Sequence, residues 1–141
     1  MFERFGEMGD WRELVTLAKN LWKEGDKESL KTLCEENGLD IRDIEDAAAD
    51  EVELYITPTM AAQGRLAVEE KETKIPKDAA RVIYGMARTM ATDPHEAQIF
   101  LKKGKRLDDV WKKLKAMAKG NNGCACGTDR DLQKLIREVY A

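Results

Sequence analysis

The sequence contains few aromatic residues, few prolines, few cysteines and a single histidine. Aromatic residues make up 6% of the 141 positions, and there are three prolines, three cysteines and one histidine. The low proline content, without any serine- or glutamine-rich tract, argues against long disordered regions. The opening residues show neither the basic nor the apolar part of an export signal, and the odd cysteine count is typical of a reducing compartment. We therefore expect a cytoplasmic protein.

Long apolar runs and strand-like alternation are absent as well. No apolar run approaches the roughly 20 residues that a membrane-spanning helix needs, so we expect no membrane association. No alternation of apolar and polar residues lasts long enough to predict a β-strand. Without strands a dinucleotide-binding fingerprint has no context, and there is no phosphate-binding P-loop. These absences predict a protein that is not an enzyme and that holds no cofactor.

Helical periodicity, in contrast, runs through almost the whole chain. In the segment after Pro76, for example, we expect Val82, Ile83, Met86 and Met90 on the inner face of a helix. A hydrophobic content of 43% supports a packed core, and a charged content of 36% is typical of helices with solvated outer faces. The sequence therefore predicts an all-α fold of seven or eight short helices.

Two helix starts combine a capping residue with a proline. Thr57 precedes Pro58, and Asp93 precedes Pro94. A threonine or aspartate accepts hydrogen bonds from the first free backbone N–H groups, and proline suits the first helical position because its missing N–H is not needed there. The second signal predicts a helix over residues 94–103, which the next glycine would end.

The two halves of the chain carry opposite net charge. Residues 1–56 hold 7 Lys/Arg against 16 Asp/Glu, a net of −9, whereas residues 57–141 hold 17 against 11, a net of +6. Such asymmetry indicates two modules, of which the basic one is a candidate for contact with an acidic partner. We predict an acidic helical unit over residues 1–55, a connecting helix over 56–75 and a basic helical domain over 76–141.

The strongest surface feature is a basic segment near the end of the chain. From Lys102 to Lys119 it holds eight Lys/Arg and two Asp, a net of +6. The predicted partner-binding or nucleic-acid-binding residues are Lys102, Lys103, Lys105, Arg106, Lys112, Lys113, Lys115 and Lys119. Such a segment binds phosphates through charge, or docks on an acidic protein surface, and the sequence leaves both readings open. No stacking aromatics are interleaved with the lysines, which disfavours single-stranded nucleic acid.

A pair of cysteines near the C-terminus raises the question of a metal or redox site. Cys124 and Cys126 are one residue apart, whereas structural zinc uses two sets of cysteines with wider spacing and redox pairs follow C-x-x-C. Cys34 and His95 are the only other candidate ligands. Cys34 falls at a helical core position, where a thiol behaves as a small hydrophobe. We expect no metal site.

The same region is better explained as the entry to a last helix. Thr128 stands at a capping position and Asp131 follows three residues later, which predicts a capping box. The glycines before Thr128 permit the backbone angles of a reversing loop.

The order of features in the last third of the chain resembles that of a known family. A basic turn leads into a helix bearing a tryptophan, then an Ala-Lys helix end, a cysteine-containing loop, a Thr-Asp helix start and a terminal aromatic residue. The matching positions are Lys105, Leu107, Trp111, Ala118, Lys119, Cys124, Thr128, Asp129 and Tyr140. With this order, residues 90–141 resemble the PcfK-like proteins, small helical proteins of conjugative elements and phages.

That family includes anti-CRISPR proteins, which inhibit the RNA-guided nuclease of type II CRISPR systems. The resemblance implies a PcfK-like domain over residues 76–141 and a protein that binds and blocks a CRISPR effector nuclease, or its guide-RNA complex, in a bacterial host cell. The net charge of −9 makes the N-terminal half a second contact candidate, because an acidic surface mimics DNA. The alternative is a nucleic-acid-binding accessory protein of conjugation or phage replication. Self-association is left open.

Overall fold

The computed structural model describes residues 2–48, 56–120 and 128–141, and within these ranges the chain is helical. The α-helices are α1 Trp11–Glu24, α2 Lys27–Glu36, α3 Ile41–Ala48, α4 Pro58–Glu72, α5 Lys77–Met90, α6 Pro94–Ala97, α7 Asp108–Gly120 and α8 Asp129–Tyr140. A 3₁₀ helix, Gln98–Leu101, follows α6. These ranges contain no strand, and their eight α-helices confirm the predicted fold class. None of the described helices has both the length and the apolar character that crossing a bilayer requires.

The predicted helix caps are present in the structure. Thr57 Oγ1 accepts from the backbone N–H of Met60 at 3.1 Å, and Pro58 occupies the first turn of α4. Thr128 and Asp131 form the predicted capping box at the start of α8. Because these contacts satisfy N–H groups that have no partner inside the helix, they fix where α4 and α8 begin.

The apolar side chains form two clusters. The N-terminal cluster gathers residues of α1, α2 and α3, among them Leu14, Leu30, Leu33 and Ile44, together with Met8 from the segment before α1. The C-terminal cluster gathers residues of α5, α7 and α8 with Phe100. Its buried members include Ile83, Tyr84, Leu107, Val110, Ile136 and Tyr140.

Helix α4 contributes to both clusters. Ala61 belongs to the N-terminal cluster, whereas Ala62 and Leu66 belong to the C-terminal cluster. The turn after α2 lies close to α4 at two glycines, since a Cβ on Gly38 would lie 2.0 Å from the carbonyl oxygen of Gly64. The helix expected only to connect the halves therefore lies between their cores.

Two details of the sequence prediction are wrong. Helix α6 ends at Ala97, and the chain continues as a 3₁₀ helix instead of remaining α-helical to residue 103. Consecutive residues of this tighter helix serve different cores, because Phe100 lies in the C-terminal cluster and Leu101 in the N-terminal one. Val82 is 60% exposed although it was expected on the inner face of α5, because the buried stripe follows Ala80, Ile83, Tyr84 and Ala87 instead.

Candidate functional site

The predicted basic segment consists of two structural parts, the loop over residues 102–107 and helix α7. The loop lies against the N-terminal segment, because the backbone N–H of Lys103 donates to the carbonyl of Gly9 at 3.3 Å. Helix α7 packs its apolar side on the C-terminal cluster through Val110. The cations of these two parts have different surroundings.

Two cations of the loop are engaged in contacts within the protein. The Arg106 guanidinium donates to both carboxylate oxygens of Glu7, from Nη1 at 2.6 Å and from Nη2 at 3.2 Å. Lys102 Nζ donates to the backbone carbonyl of Tyr140 near the end of α8 at 2.9 Å. These two predicted contact residues therefore join parts of the fold that are distant in sequence.

The lysines of α7 point toward solvent. The Lys112 side chain is 74% exposed, with its Nζ 3.5 Å from the Asp109 carboxylate one turn earlier. Lys113 and Lys115 are exposed, and Lys115 Nζ lies 6.0 Å from the centre of the Trp111 ring. We refer to Lys112, Lys113 and Lys115 as the α7 lysines. An ion pair this exposed adds little to stability, so these charges are available to a partner.

The remaining predicted basic residues are Lys103, Lys105 and Lys119. Lys103 is exposed and Lys105 is partly buried in the loop. Lys119 belongs to the last turn of α7, and its side chain lies outside the described residues.

A buried group of charged residues lies where the loop meets α4 and the N-terminal segment. Arg65 of α4 is 2% exposed and pairs with Glu7 through Nη2, which also donates to the Lys102 carbonyl at 3.2 Å. Arg65 Nε lies 3.7 Å from a carboxylate oxygen of Glu69, one turn further along α4. We call Glu7, Arg65, Glu69 and Arg106 the Glu7 cluster. None of these residues except Arg106 was predicted to be part of a site.

The electrostatics of the cluster differ between its two carboxylates. Burial by itself raises the pKa of Glu7, but the hydrogen bonds from Arg106 and Gly104 and the charge of Arg65 outweigh it, so the pKa is lowered. For Glu69, burial dominates over the attraction of Arg65 and raises the pKa to about 7. The reason lies in the geometry, because Arg65 directs Nη2 at Glu7 and only approaches Glu69.

A cavity of about 290 Å³ lies beside Glu69 and contains an internally bonded polar group. Thr73 Oγ1 and the Tyr84 hydroxyl both donate to the same oxygen of Asp108, at 2.5 and 3.2 Å. Burial, together with the charges of Glu69 and Asp108, raises the pKa of Tyr84. The Tyr84 hydroxyl therefore stays protonated and serves as a structural hydrogen-bond donor to Asp108.

A larger and more open groove of about 710 Å³ lies between α2 and α3. Residues of both charge signs line it, including Lys31, Glu35, Arg42 and Glu45, around the apolar side chains of Leu39 and Ile41. The mixed lining gives no single charge that would select a ligand.

The structure tests part of the cysteine prediction. Cys34 is 1% exposed in the N-terminal cluster, as predicted for a core position. Burial, with the negative charges of Asp40, Glu35 and Glu45, raises the pKa of its thiol to about 12. The thiolate needed for nucleophilic attack is therefore strongly disfavoured at neutral pH.

The proposed absence of a metal site stays a prediction. Cys124 and Cys126 lie outside the described residues. Within the part of the chain that the structure describes, His, Cys, Asp and Glu side chains form no group of three placed to hold a metal ion. His95 is exposed at the second position of α6, where its backbone N–H donates to the capping Asp93 at 2.8 Å.

Comparison of the chain with protein-family models, with curated proteins and with solved structures found no match. The resemblance of residues 90–141 to the PcfK-like proteins therefore stays a prediction.

The Glu7 cluster carries a weak signal in the sequence. Arg65 and Glu69 are four residues apart on α4, and they share a helix face with the small residues Ala61 and Ala62. Charged residues on a face that is otherwise suited to close packing indicate a buried ion pair. Glu7, the other carboxylate that pairs with Arg65, lies 58 residues before it, and no local pattern points to it.

Proposed function

We propose that this protein is a non-enzymatic inhibitor that comes from a phage or mobile element, and that it binds and inhibits an RNA-guided type II CRISPR nuclease. The α7 lysines make the contact. The observation that carries this assignment is the exposure of Lys112, Lys113 and Lys115 on a helix whose other side is anchored in the C-terminal cluster. The proposal of a CRISPR effector as the partner rests on the resemblance of residues 90–141.

A binding role accounts for the ionisable residues better than a catalytic one. Glu7 and Arg106 pair with each other, and Asp108 accepts from Thr73 and Tyr84. Groups held by several internal hydrogen bonds stabilise the fold, whereas catalysis requires a group that can reach a substrate. The α7 lysines have the opposite character, since they are exposed cations on a helix that packs against the C-terminal cluster.

The α7 lysines are a better contact than the acidic N-terminal half. Described acidic residues of that half, such as Glu24, Glu28 and Glu35, are interleaved with Lys23, Lys27 and Lys31. This mixture weakens the DNA-like field that mimicry requires. On α7 the three lysines fall within four residues, and a partner surface of acidic side chains or guide-RNA phosphates complements them.

A cleavage assay tests the proposal directly. The full chain is added in excess to a panel of type II effectors loaded with guide RNA, and cleavage of target DNA is measured. We expect inhibition of at least one effector and loss of that inhibition in the triple variant K112E/K113E/K115E. The matched control is K23E/K27E/K31E, which makes the same charge change on the N-terminal unit and should still inhibit. Full cleavage by every effector of the panel would contradict the proposal.

The alternative is a nucleic-acid-binding accessory protein, and the same exposed lysines favour it. Titration of labelled duplex DNA at two salt concentrations separates the two functions, because binding to phosphates weakens steeply with salt. An accessory protein binds DNA at low salt and loses this binding in K112E/K113E/K115E. The proposed inhibitor does not require DNA binding, since its partner is the effector complex.

A further inference from the structure

The carboxylate of Glu7 occupies a receptor formed by two segments that are distant in sequence. Arg65 of α4 pairs with it through Nη2, and Arg106 of the loop donates through two nitrogens at 2.6 and 3.2 Å. The backbone N–H of Gly104 adds a fourth donor nitrogen at 3.0 Å. Two guanidinium groups with an added amide form a fork-shaped arrangement that suits planar or tetrahedral oxyanions.

The receptor is held in place by contacts that do not involve Glu7. Arg65 is fully packed in α4 and donates to the Lys102 carbonyl at 3.2 Å. Its Nε has no hydrogen-bond partner among the described residues, although Glu69 lies 3.7 Å away. Gly104 has a φ of +80°, a conformation that favours glycine and directs its N–H toward the site. Arg65 is therefore a buried guanidinium in a fixed position, and its Nη2 is the donor that it presents to an anion in the place of Glu7.

The occupant, in contrast, belongs to a segment with little secondary structure. Residues 2–9 contain a turn over residues 3–5 and no helix or strand before α1. The Phe2 ring covers both guanidinium groups, at 5.5 Å from Arg65 and 5.8 Å from Arg106. Arg4 ties the segment to α2 through Ser29 at 2.9 Å. Glu7 is thus a tethered ligand, and the tether gives it a high effective concentration at the receptor.

We propose that Arg65, Arg106 and the Gly104 N–H form an oxyanion-binding site, that Glu7 is its internal occupant, and that an external carboxylate or phosphate group binds there when Glu7 is displaced. The N-terminal segment therefore blocks the site. Because the tethered carboxylate competes, the intact protein binds a free anion weakly. Loss of the Glu7 carboxylate leaves Arg106 without the anion that it bonds, and it leaves Arg65 with only the more distant Glu69.

The experiment measures anion binding by the full chain carrying Glu7→Ala. Sodium acetate and inorganic phosphate are titrated separately at constant ionic strength, and the unfolding temperature is recorded. We expect a saturable rise of about 4 °C at ten times the dissociation constant. The more effective anion identifies whether carboxylate or phosphate is preferred. Glu3→Ala, an exposed position of the same segment, and the wild-type protein should show only the small non-saturating rise that any excluded salt produces.

A second variant, Glu7→Gln, and a second measurement, circular dichroism, test the site if Glu7→Ala does not fold. Glu7→Gln preserves the size of the side chain and removes its charge, so it is expected to remain folded and to gain a saturable response. If Glu7→Ala is unfolded without anion, recovery of its helical circular dichroism on adding acetate or phosphate supports the site. Saturation should shift the amide resonance of Gly104. Equal responses in Glu7→Ala and Glu3→Ala, or no saturable response in either Glu7 variant, would overturn the proposal.

Discussion

The loop over residues 102–107 and helix α7 are neighbours in the chain and look equally basic in the sequence, yet their cations have different roles. Arg106 and Lys102 bond to groups of distant segments, Glu7 and the carbonyl of Tyr140. Lys113 and Lys115 are exposed. The Arg106 side chain is only 32% exposed and has a fixed counter-charge in Glu7, as a partly buried cation requires. Lys102 is exposed like the α7 lysines and differs from them by its bond to a backbone carbonyl. Charge count alone does not distinguish structural cations from surface cations.

The largest effect is expected from removing the buried cation of the Glu7 cluster. Arg65→Met should lower the free energy of unfolding by about 3–5 kcal/mol, because it leaves the buried Glu69 carboxylate without its nearby cation. Urea denaturation followed by circular dichroism measures the change. Lys71→Ala, at an exposed position of the same helix, serves as the control and should change stability by less than about 0.5 kcal/mol. Equal effects of the two substitutions would show that the cluster is not structural.

The pH dependence of stability tests the Glu69 carboxyl group of the same cluster. The folded protein holds the Glu69 proton more tightly than the unfolded chain, since the pKa of this group is raised from 4.5 to about 7. Stability should therefore fall as the pH rises from about 4.5 to about 7, by roughly 3 kcal/mol for this group. Urea denaturation at several pH values measures the slope.

Other carboxylates produce the opposite slope at lower pH. The lowered pKa values of Glu7 and Asp131 mean that their contribution is present above the unfolded pKa and is lost as the pH falls through the folded pKa. We expect maximal stability near pH 5. Glu69→Gln should remove the decline above pH 5 while leaving the acid side unchanged. A decline of the same size in this variant would assign it to another group.

A smaller effect is expected from the loop cation. Arg106→Ala removes two hydrogen bonds to Glu7 but leaves that carboxylate paired with Arg65, and the Arg106 side chain is 32% exposed. We expect a loss of about 1–2 kcal/mol in the free energy of unfolding. The result should lie between those of Arg65→Met and a substitution of an α7 lysine. A change below about 0.5 kcal/mol would show that Arg106 contributes no more to stability than a surface cation does.

The features that the sequence predicted correctly all depend on local patterns. The all-α fold follows from helical periodicity, and the starts of α4 and α8 follow from Thr57 and Thr128, whose capping contacts span only three residues. The Glu7 cluster depends on contacts between positions far apart in sequence, since Arg106 follows Glu7 by 99 positions. The α6 helix was predicted too long. Phe100 and Leu101 are adjacent but pack in different cores, and no local sequence pattern indicates this.

The smallest effect on stability is expected on α7, where the comparison between the two cationic regions becomes sharpest. Lys113→Ala and Lys115→Ala should each change the free energy of unfolding by less than about 0.5 kcal/mol, because their ammonium groups are solvated in the folded protein. Under the proposed function the same two substitutions together should weaken inhibition of the susceptible effector, whereas Arg106→Ala should weaken it only in proportion to its loss of folded protein. Denaturation and cleavage are measured on the same preparations, so that stability and inhibition are compared directly. If Lys113→Ala destabilises as much as Arg106→Ala, then the α7 lysines also serve the fold, and the distinction between structural and available cations fails for this helix.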